Sequence, residues 1–171
     1  MERNNQRITF KGSPITLLGK EAKENDHAID FFALDTNLKQ VRLSDYNGKV
    51  KILSIFPSID TSICSKQNHI FNKEAASLSE DIVIIAISND LPFALNRFCD
   101  AENIDNLKLL SDHKDLDFAS KYGFLIKELR LLTRGIIVID KENIIRYVEY
   151  VKEVTEEPNY GAAINIAKKS I

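Results

Sequence analysis

Cys64 and its near neighbours are the residues whose types and spacing suit nucleophilic chemistry. Cys64 follows the apolar run that ends at Phe56-Pro57, and Thr61 stands three residues before it. A cysteine in the first turn of a helix lies beside unpaired backbone N–H groups and the positive end of the helix dipole, which favour the thiolate. The thiolate is the reactive form of cysteine, so this spacing indicates a candidate nucleophile.

Thr61 and Pro57 each have a chemical and a structural interpretation. In a helical turn, the Thr61 hydroxyl can face the sulfur and hold a substrate oxygen, or it can cap the helix. These two roles are compatible. Pro57 can cover the thiolate and keep bulk water away, or it can simply end the strand.

Arg134 is the candidate positive partner of a thiolate. It begins the apolar run "RGIIVID", and arginine stays protonated and offers forked donors. It would therefore stabilise both a thiolate and the charge on a departing oxygen. A surface charge is an equally good interpretation of Arg134 by its spacing, and Cys64 by itself is compatible with a small buried apolar side chain.

The hydrophobic pattern predicts the elements that position these residues. Buried strands in "GKVKILSIFPSI" and "DIVIIAISND" are each followed by a helix, one beginning near Thr61 and the other near Pro92. A hairpin turning at Lys141-Glu142-Asn143 and a helix opened by Pro158 come last, and Ile8–Leu18 is expected to form two short strands around a Gly-Ser-Pro turn. The alternation predicts an α/β, thioredoxin-like fold, with a central mixed β-sheet flanked by helices and an N-terminal β-hairpin.

Composition narrows the class of protein. The chain has 171 residues, which predicts a single thioredoxin-like domain over 1–171. A net charge of −2, with no dense Lys/Arg stripe, argues against nucleic acid or a membrane as a partner. The polar N-terminus lacks the apolar region of a secretory signal, so a cytoplasmic location is expected. Both cysteines are expected to rest there as thiols.

Five segments together resemble the peroxiredoxin family, and in particular its thiol peroxidase branch. They are "ITFKGSPITL", "FPSIDTSIC", "SNDLPFALNRFC", "RGIIVID" and "TEEPNY", which span nearly the whole chain in the expected order. The segment "PSIDTSIC" matches the P-x-x-x-T-x-x-C signature of the family. The resemblance implies a peroxidase of the atypical two-cysteine type. Such an enzyme reduces hydrogen peroxide and organic hydroperoxides in antioxidant defence and redox homeostasis, without metal, haem or flavin.

The resemblance also implies the roles of individual residues. Carried over by position, Cys64 is the peroxidatic cysteine and Cys99 the resolving cysteine, and the two form an intramolecular disulfide. Pro57, Thr61 and Arg134 complete the pocket. The resemblance further implies a homodimer that thioredoxin reduces.

The family pattern often has glycine where Asp100 and Asn103 stand, and arginine where His69 stands. A disulfide needs Cα atoms about 4.4–6.8 Å apart, and a folded helix is not expected to bring Cys99 that close. Part of Leu91–Glu102 is therefore predicted to unwind or shift in each cycle.

Two other interpretations use the same thiols: a redox-sensing module that signals through a partner, and a structural domain with inert cysteines.

Overall fold

The computed structural model describes residues 1–171, which form one seven-stranded mixed sheet and two two-stranded sheets. The strands are β1 (Ile8–Phe10), β2 (Ser13–Ile15), β3 (Leu17–Leu18), β4 (Phe32–Leu34), β5 (Gln40–Arg42), β6 (Val50–Ile55), β7 (Ile82–Ser88), β8 (Lys108–Ser111), β9 (Leu125–Ile126), β10 (Gly135–Ile139) and β11 (Ile145–Tyr150). The helices are α1 (Ser62–Ala75), α2 (Pro92–Glu102), α3 (Asp117–Tyr122) and α4 (Tyr160–Lys169), with a 3-10 turn at Leu43–Tyr46. None of the four α-helices has the length and apolar character that crossing a bilayer requires.

The order of strands in the large sheet brings distant parts of the chain together at the same end of the central strands. The order is β11-β10-β6-β7-β8-β4-β5, in which β6, β7 and β8 are parallel and the outer strands are antiparallel. Ile55, the last residue of β6, lies opposite Ile87 of β7 and Gly135 of β10. The residues that follow β6 and β7 therefore meet Arg134, which immediately precedes β10.

Alternation along the central strands divides the core between the two faces of the sheet. Ile52 and Ile84 belong to a cluster of 19 buried residues that includes side chains of α1, α2 and α4. Leu53 and Ile85 belong to a cluster of 23 buried residues that includes α3 and the N-terminal segment. Both faces are thus covered, as the unbroken apolar runs of β6 and β7 require.

The predicted fold is confirmed: the mixed sheet, the helices on both faces and the N-terminal hairpin are all present. The predicted starts of two helices are also confirmed, since Thr61 is the N-cap of α1 and Pro92 is the first residue of α2. The last helix begins at Tyr160 rather than at Pro158, because the Asn159 side chain accepts a hydrogen bond from the Ala162 N–H at 3.0 Å and caps it.

The turn of the N-terminal hairpin differs from the prediction. β1 and β2 are joined by Lys11 and Gly12, while Ser13 and Pro14 already lie in β2. Lys11 (φ 50°) and Gly12 (φ 77°) both adopt the left-handed conformation, which a two-residue turn between twisted antiparallel strands requires. Proline cannot adopt that conformation, so Pro14 falls in the extended strand and not in the turn.

Candidate active site

Cys64 lies in the first turn of α1, with its side chain fully buried. Thr61 is extended (φ −100°, ψ 145°) and its Oγ1 accepts a hydrogen bond from the Cys64 N–H at 3.3 Å. The Thr61 hydroxyl donates in turn to the Ser58 carbonyl at 3.3 Å. Pro57 is buried where β6 leads into this loop. The start of α1 is therefore built around the cysteine.

Arg134 is the side chain that contacts the sulfur. Its Nη2 donates to Cys64 Sγ at 3.2 Å, its Nη1 to Gln67 Oε1 at 2.6 Å and its Nε to the Val154 carbonyl at 2.8 Å. Arg134 is only 2% exposed. A buried guanidinium needs acceptors, and here the sulfur is one of three.

Gly135 permits a close approach directly behind the arginine. A Cβ atom at this position would lie 2.1 Å from the Glu149 carbonyl oxygen and 2.7 Å from Phe124 Cε1. Only glycine avoids both clashes. The dipeptide Arg134-Gly135 thus places a long cationic side chain next to a backbone that packs tightly against β11.

Gln67 connects the arginine to the sheet. It lies one helical turn after Cys64, is fully buried, and donates through Nε2 to Ser54 Oγ at 2.8 Å and to the Ile55 carbonyl at 3.3 Å. Its Oε1 is thereby held toward Arg134. The buried amide fixes the direction of the guanidinium relative to α1 and β6.

Asp90 anchors the loop that precedes Cys64. Its carboxylate accepts hydrogen bonds from Ser58 Oγ at 2.7 Å, from the Ile59 N–H at 2.9 Å and from Ser88 Oγ at 2.7 Å. Asp90 lies just after β7 and two residues before Pro92, the start of α2. One carboxylate therefore ties the loop before α1 to the loop before α2.

Cys99 lies on α2, half-buried against the same apolar cluster that contains Cys64, and both cysteines are free thiols. Burial, and after it the charge of Asp100, raises the pKa of the Cys99 thiol. Cys99 also lines a groove of about 400 Å³ that includes Tyr46 and Ile104. In this conformation Cys99 is favoured as the neutral thiol.

Two departures from the family pattern lie at or against the C-terminal end of α2. Asn103 ends the helix in the left-handed conformation (φ 54°), where glycine is commonest and asparagine is the usual alternative. His69 Nε2 lies 3.1 Å from Glu102 Oε2, so the residue on α1 contacts the last turn of α2. Asn72 of α1 also donates to the Asn103 carbonyl.

The geometry favours nucleophilic chemistry at sulfur. An arginine donor and a helix N-terminus converge on Cys64, and both favour negative charge on the sulfur, while the Thr61 cap fixes the start of the helix. No group of three or more His, Cys, Asp or Glu side chains is placed to hold a metal ion.

Three groups of the site were not predicted from the sequence: Gln67, Asp90 and the Val154 carbonyl. Gln67 had a detectable signal, because it is a polar residue one turn from Cys64 on the apolar face of a helix. Asp90 had a weaker one, since it directly follows a buried strand. The Val154 carbonyl had none, because any residue supplies a backbone carbonyl.

The chain is similar in sequence to known proteins over most of its length. A family model described as Redoxin matches residues 19–164. The thiol peroxidase of Oceanobacillus iheyensis is 50% identical over 162 residues, covering 95% of this chain and 98% of that protein. The thiol peroxidase of Bacillus subtilis is 49% identical over 161 residues, covering 94% and 96%.

Solved structures show the same fold. A peroxiredoxin-like protein from Aquifex aeolicus superimposes with a TM-score of 0.91 at 34% identity, covering all of both chains. A thiol peroxidase from Chromobacterium violaceum superimposes with a TM-score of 0.85 at 18% identity, covering 97% of both chains. The second likeness concerns the fold alone.

Proposed function

Because the chain belongs to the thiol peroxidase branch of the Redoxin family, and is thus a peroxidase, we propose that Cys64 is the sulfur that reduces the peroxide. The Cys64 thiolate attacks the terminal oxygen of a hydroperoxide. The O–O bond breaks, the departing oxygen leaves as water or an alcohol after taking up a proton, and the sulfur becomes a sulfenic acid.

A single observation carries this proposal: the 3.2 Å contact between Arg134 Nη2 and Cys64 Sγ, both buried. A protonated guanidinium at that distance stabilises the thiolate before the reaction. The same group can then stabilise charge as it moves to the departing oxygen, which is electrostatic preorganisation. The Thr61 hydroxyl, now bonded to the Ser58 carbonyl, is a further donor if it rotates toward a bound peroxide.

We propose that Cys99 resolves the sulfenic acid. Its thiolate attacks the Cys64 sulfur, the S–O bond breaks, the departing hydroxyl takes up a proton and leaves as water, and an intramolecular Cys64–Cys99 disulfide forms. The position of Cys99 on an intact helix supports the view that part of α2 must unwind or shift first. An external dithiol then reduces the disulfide by thiol–disulfide exchange.

Thioredoxin is the dithiol we propose, and a homodimer is the proposed assembly, with residues 1–171 of each chain acting as one catalytic domain. Both follow from the family. The exposed apolar side chains of Leu91, at the N-cap of α2, and Phe93, in its first turn, supply a surface that an assembly would cover. The cytoplasm, where thioredoxin systems keep thiols reduced, is the compartment in which this cycle would run. Sedimentation of the reduced protein at micromolar concentration tests the dimer.

Three proteins test the chemistry: the natural chain, Cys64→Ser and Cys99→Ser. Each is mixed in stopped flow with hydrogen peroxide or with an organic hydroperoxide, and the oxidised cysteines are mapped by mass spectrometry. We expect the natural chain to form the disulfide and to turn over with thioredoxin. Cys99→Ser should stop at a sulfenic acid on Cys64 that a 1,3-diketone reagent traps, without turnover.

Cys64→Ser should lose the fast reaction with peroxide altogether. An equally fast reaction in that variant would overturn the assignment of Cys64. Oxidation without turnover in the natural chain, with thioredoxin and its reductase present, would favour the redox-sensing alternative. Slow thiol oxidation in all three proteins would favour a structural domain with inert cysteines.

A further inference from the structure

The backbone carbonyl that holds Arg134 belongs to a loop segment rather than to the sheet. Val154 follows β11 and is 1% exposed, and its carbonyl accepts the Nε–H of Arg134 at 2.8 Å. Gln67 Oε1 and Cys64 Sγ accept hydrogen bonds from the other two nitrogens of the guanidinium. The direction of Arg134 toward the sulfur therefore depends on where this loop places one oxygen atom.

The N-terminal hairpin holds that loop in place. The Thr9 N–H donates to the Lys152 carbonyl, and the Val154 N–H donates to the Thr9 carbonyl, both at 2.9 Å. Thr9 and Glu153 form a parallel bridge between these two backbone bonds. The strand β1 thus brackets Glu153 and also holds the N–H of Val154, the next residue, whose carbonyl meets the arginine.

The Glu153 carboxylate secures the hairpin to the loop. It accepts hydrogen bonds from Thr9 Oγ1 at 2.7 Å, from the Lys11 N–H at 2.9 Å and from the Gly12 N–H at 3.0 Å. On its own side it accepts from the Thr155 N–H at 3.1 Å and from Thr155 Oγ1 at 2.8 Å. These bonds, first among them the one from Gly12, hold the pKa of Glu153 well below its usual range.

The turn of the hairpin is shaped for this contact. The two left-handed residues Lys11 and Gly12 direct consecutive backbone N–H groups at one carboxylate. Successive N–H groups in a turn form an anion-binding concavity. A carboxylate that accepts several donors at once forms stronger hydrogen bonds than a neutral acceptor.

We propose that Glu153 is a positioning residue for the peroxidase reaction: by tying the N-terminal hairpin to the segment 152–155 it fixes the Val154 carbonyl, and through it the aim of Arg134 at Cys64. This inference rests on the proposed role of Arg134 and gives the N-terminal hairpin a catalytic purpose. Glu153 touches neither sulfur nor substrate in this arrangement.

The test compares Glu153→Gln with Glu156→Gln. Glu156 is an exposed acid three residues away in the same segment, so its variant controls for the loss of one charge. Both are made in a Cys99→Ser background, so that Cys64 is the only cysteine that peroxide or the alkylating reagent can modify. The measurements are the rate constant with hydrogen peroxide and the midpoint of the pH profile for alkylation of Cys64.

Glu153→Gln should react about tenfold more slowly, because a small misplacement of a catalytic group is costly, and its alkylation midpoint should move to higher pH. Glu156→Gln should match the background protein in both measurements. Loss of stability alone would leave the alkylation midpoint of the folded protein unchanged. Thr9→Val, which removes one of the five donors to Glu153, should change both measurements in the same direction by a smaller amount and serves if Glu153→Gln does not fold.

Arg134→Lys separates this inference from the proposed function. It should slow the reaction by about a hundredfold, and an unchanged rate would contradict the role of Arg134 itself. Lysine has no Nε–H for the Val154 carbonyl, so adding Glu153→Gln to Arg134→Lys should cause little further loss. If Arg134→Lys is slow while Glu153→Gln behaves like Glu156→Gln, or if the two losses multiply in full, the positioning role of Glu153 is wrong.

Discussion

The surroundings of Cys64 and Cys99 differ although both cysteines pack against one apolar cluster. The Cys64 sulfur is fully buried and accepts a hydrogen bond from Arg134, and the Thr61 side chain caps its helix. Cys99 is half-buried, and Leu91 at the N-cap position of α2 makes no side-chain hydrogen bond to the helix. Two apolar side chains at the start of α2, Leu91 and Phe93, are 53% and 66% exposed.

This difference suits the two steps of the proposed cycle. The step at Cys64 needs a fixed charge arrangement around a small substrate, so rigidity helps it. The step at Cys99 needs a helix to move, so a weakly anchored element helps it. The same sheet thus carries one cysteine in a well-anchored helix start and another on a helix whose start has no side-chain cap.

Gln67→Leu should cause the largest change in this comparison, because it would make the Cys64 surroundings resemble those of Cys99. It removes the acceptor of Arg134 Nη1 and leaves a buried N–H unpaired, which costs about 1–3 kcal/mol. We expect the rate constant with hydrogen peroxide to fall by about tenfold or more, as measured by stopped flow. Gln67→Glu keeps an acceptor for Arg134, so its rate constant should fall by less than that of Gln67→Leu. Equal losses in both variants would show that the contact with Arg134 does not matter.

Asp90→Ala tests whether one anchor serves both regions. Removing the carboxylate frees the Ser58 hydroxyl and the Ile59 N–H, so the loop before Cys64 should loosen. We expect a rate constant with peroxide about fivefold lower, since a buried hydrogen bond contributes about 1 kcal/mol. Asp90→Asn retains an acceptor for the Ile59 N–H, so its rate constant should lie between those of the natural chain and of Asp90→Ala. If Asp90→Ala reacts with peroxide as fast as the natural chain, the Asp90 contacts have only a structural role.

Hydrogen exchange measures the difference in mobility directly. Backbone amides of α2 should exchange about tenfold faster than those in the middle of α1, because a helix whose start lacks a side-chain cap opens more easily. Oxidation of the protein to the disulfide should increase exchange in α2 and leave α1 nearly unchanged. Exchange that is equally slow in α2 in the reduced and oxidised protein would contradict the proposed movement.

Asp100→Asn should have the smallest effect and concerns the pH dependence of the second step. Asp100 is the second cause, after burial, that raises the pKa of Cys99. Removing its charge lowers that pKa, so more Cys99 is thiolate at pH 7, and disulfide formation should be about twofold faster. The gain should disappear at a pH where Cys99 is fully ionised in both proteins. Asp105→Asn, an exposed acid beyond the end of α2, is the matched control, and a gain of equal size there would show that general charge is responsible.

Local pattern was sufficient for the elements and for half of the site. The apolar runs of β6 and β7, the cap at Thr61 and the proline at the start of α2 are all encoded within a few residues, and all appear where they were predicted. The hairpin turn was wrong by two residues because it depends on the left-handed conformation of Lys11, a residue with no special preference for it.

The amino-acid sequence alone determined the fold class, the position of Cys64 at a helix start and the order of the segments, because periodicity and capping act over short distances. Only the tertiary structure decided what surrounds the sulfur. Arg134 lies 70 residues from Cys64 along the chain, and the Val154 carbonyl lies 20 residues beyond Arg134. Those contacts arise from the antiparallel register of β10 with β6 and from the hairpin that holds the loop after β11. No short stretch of the chain contains both partners of such a contact.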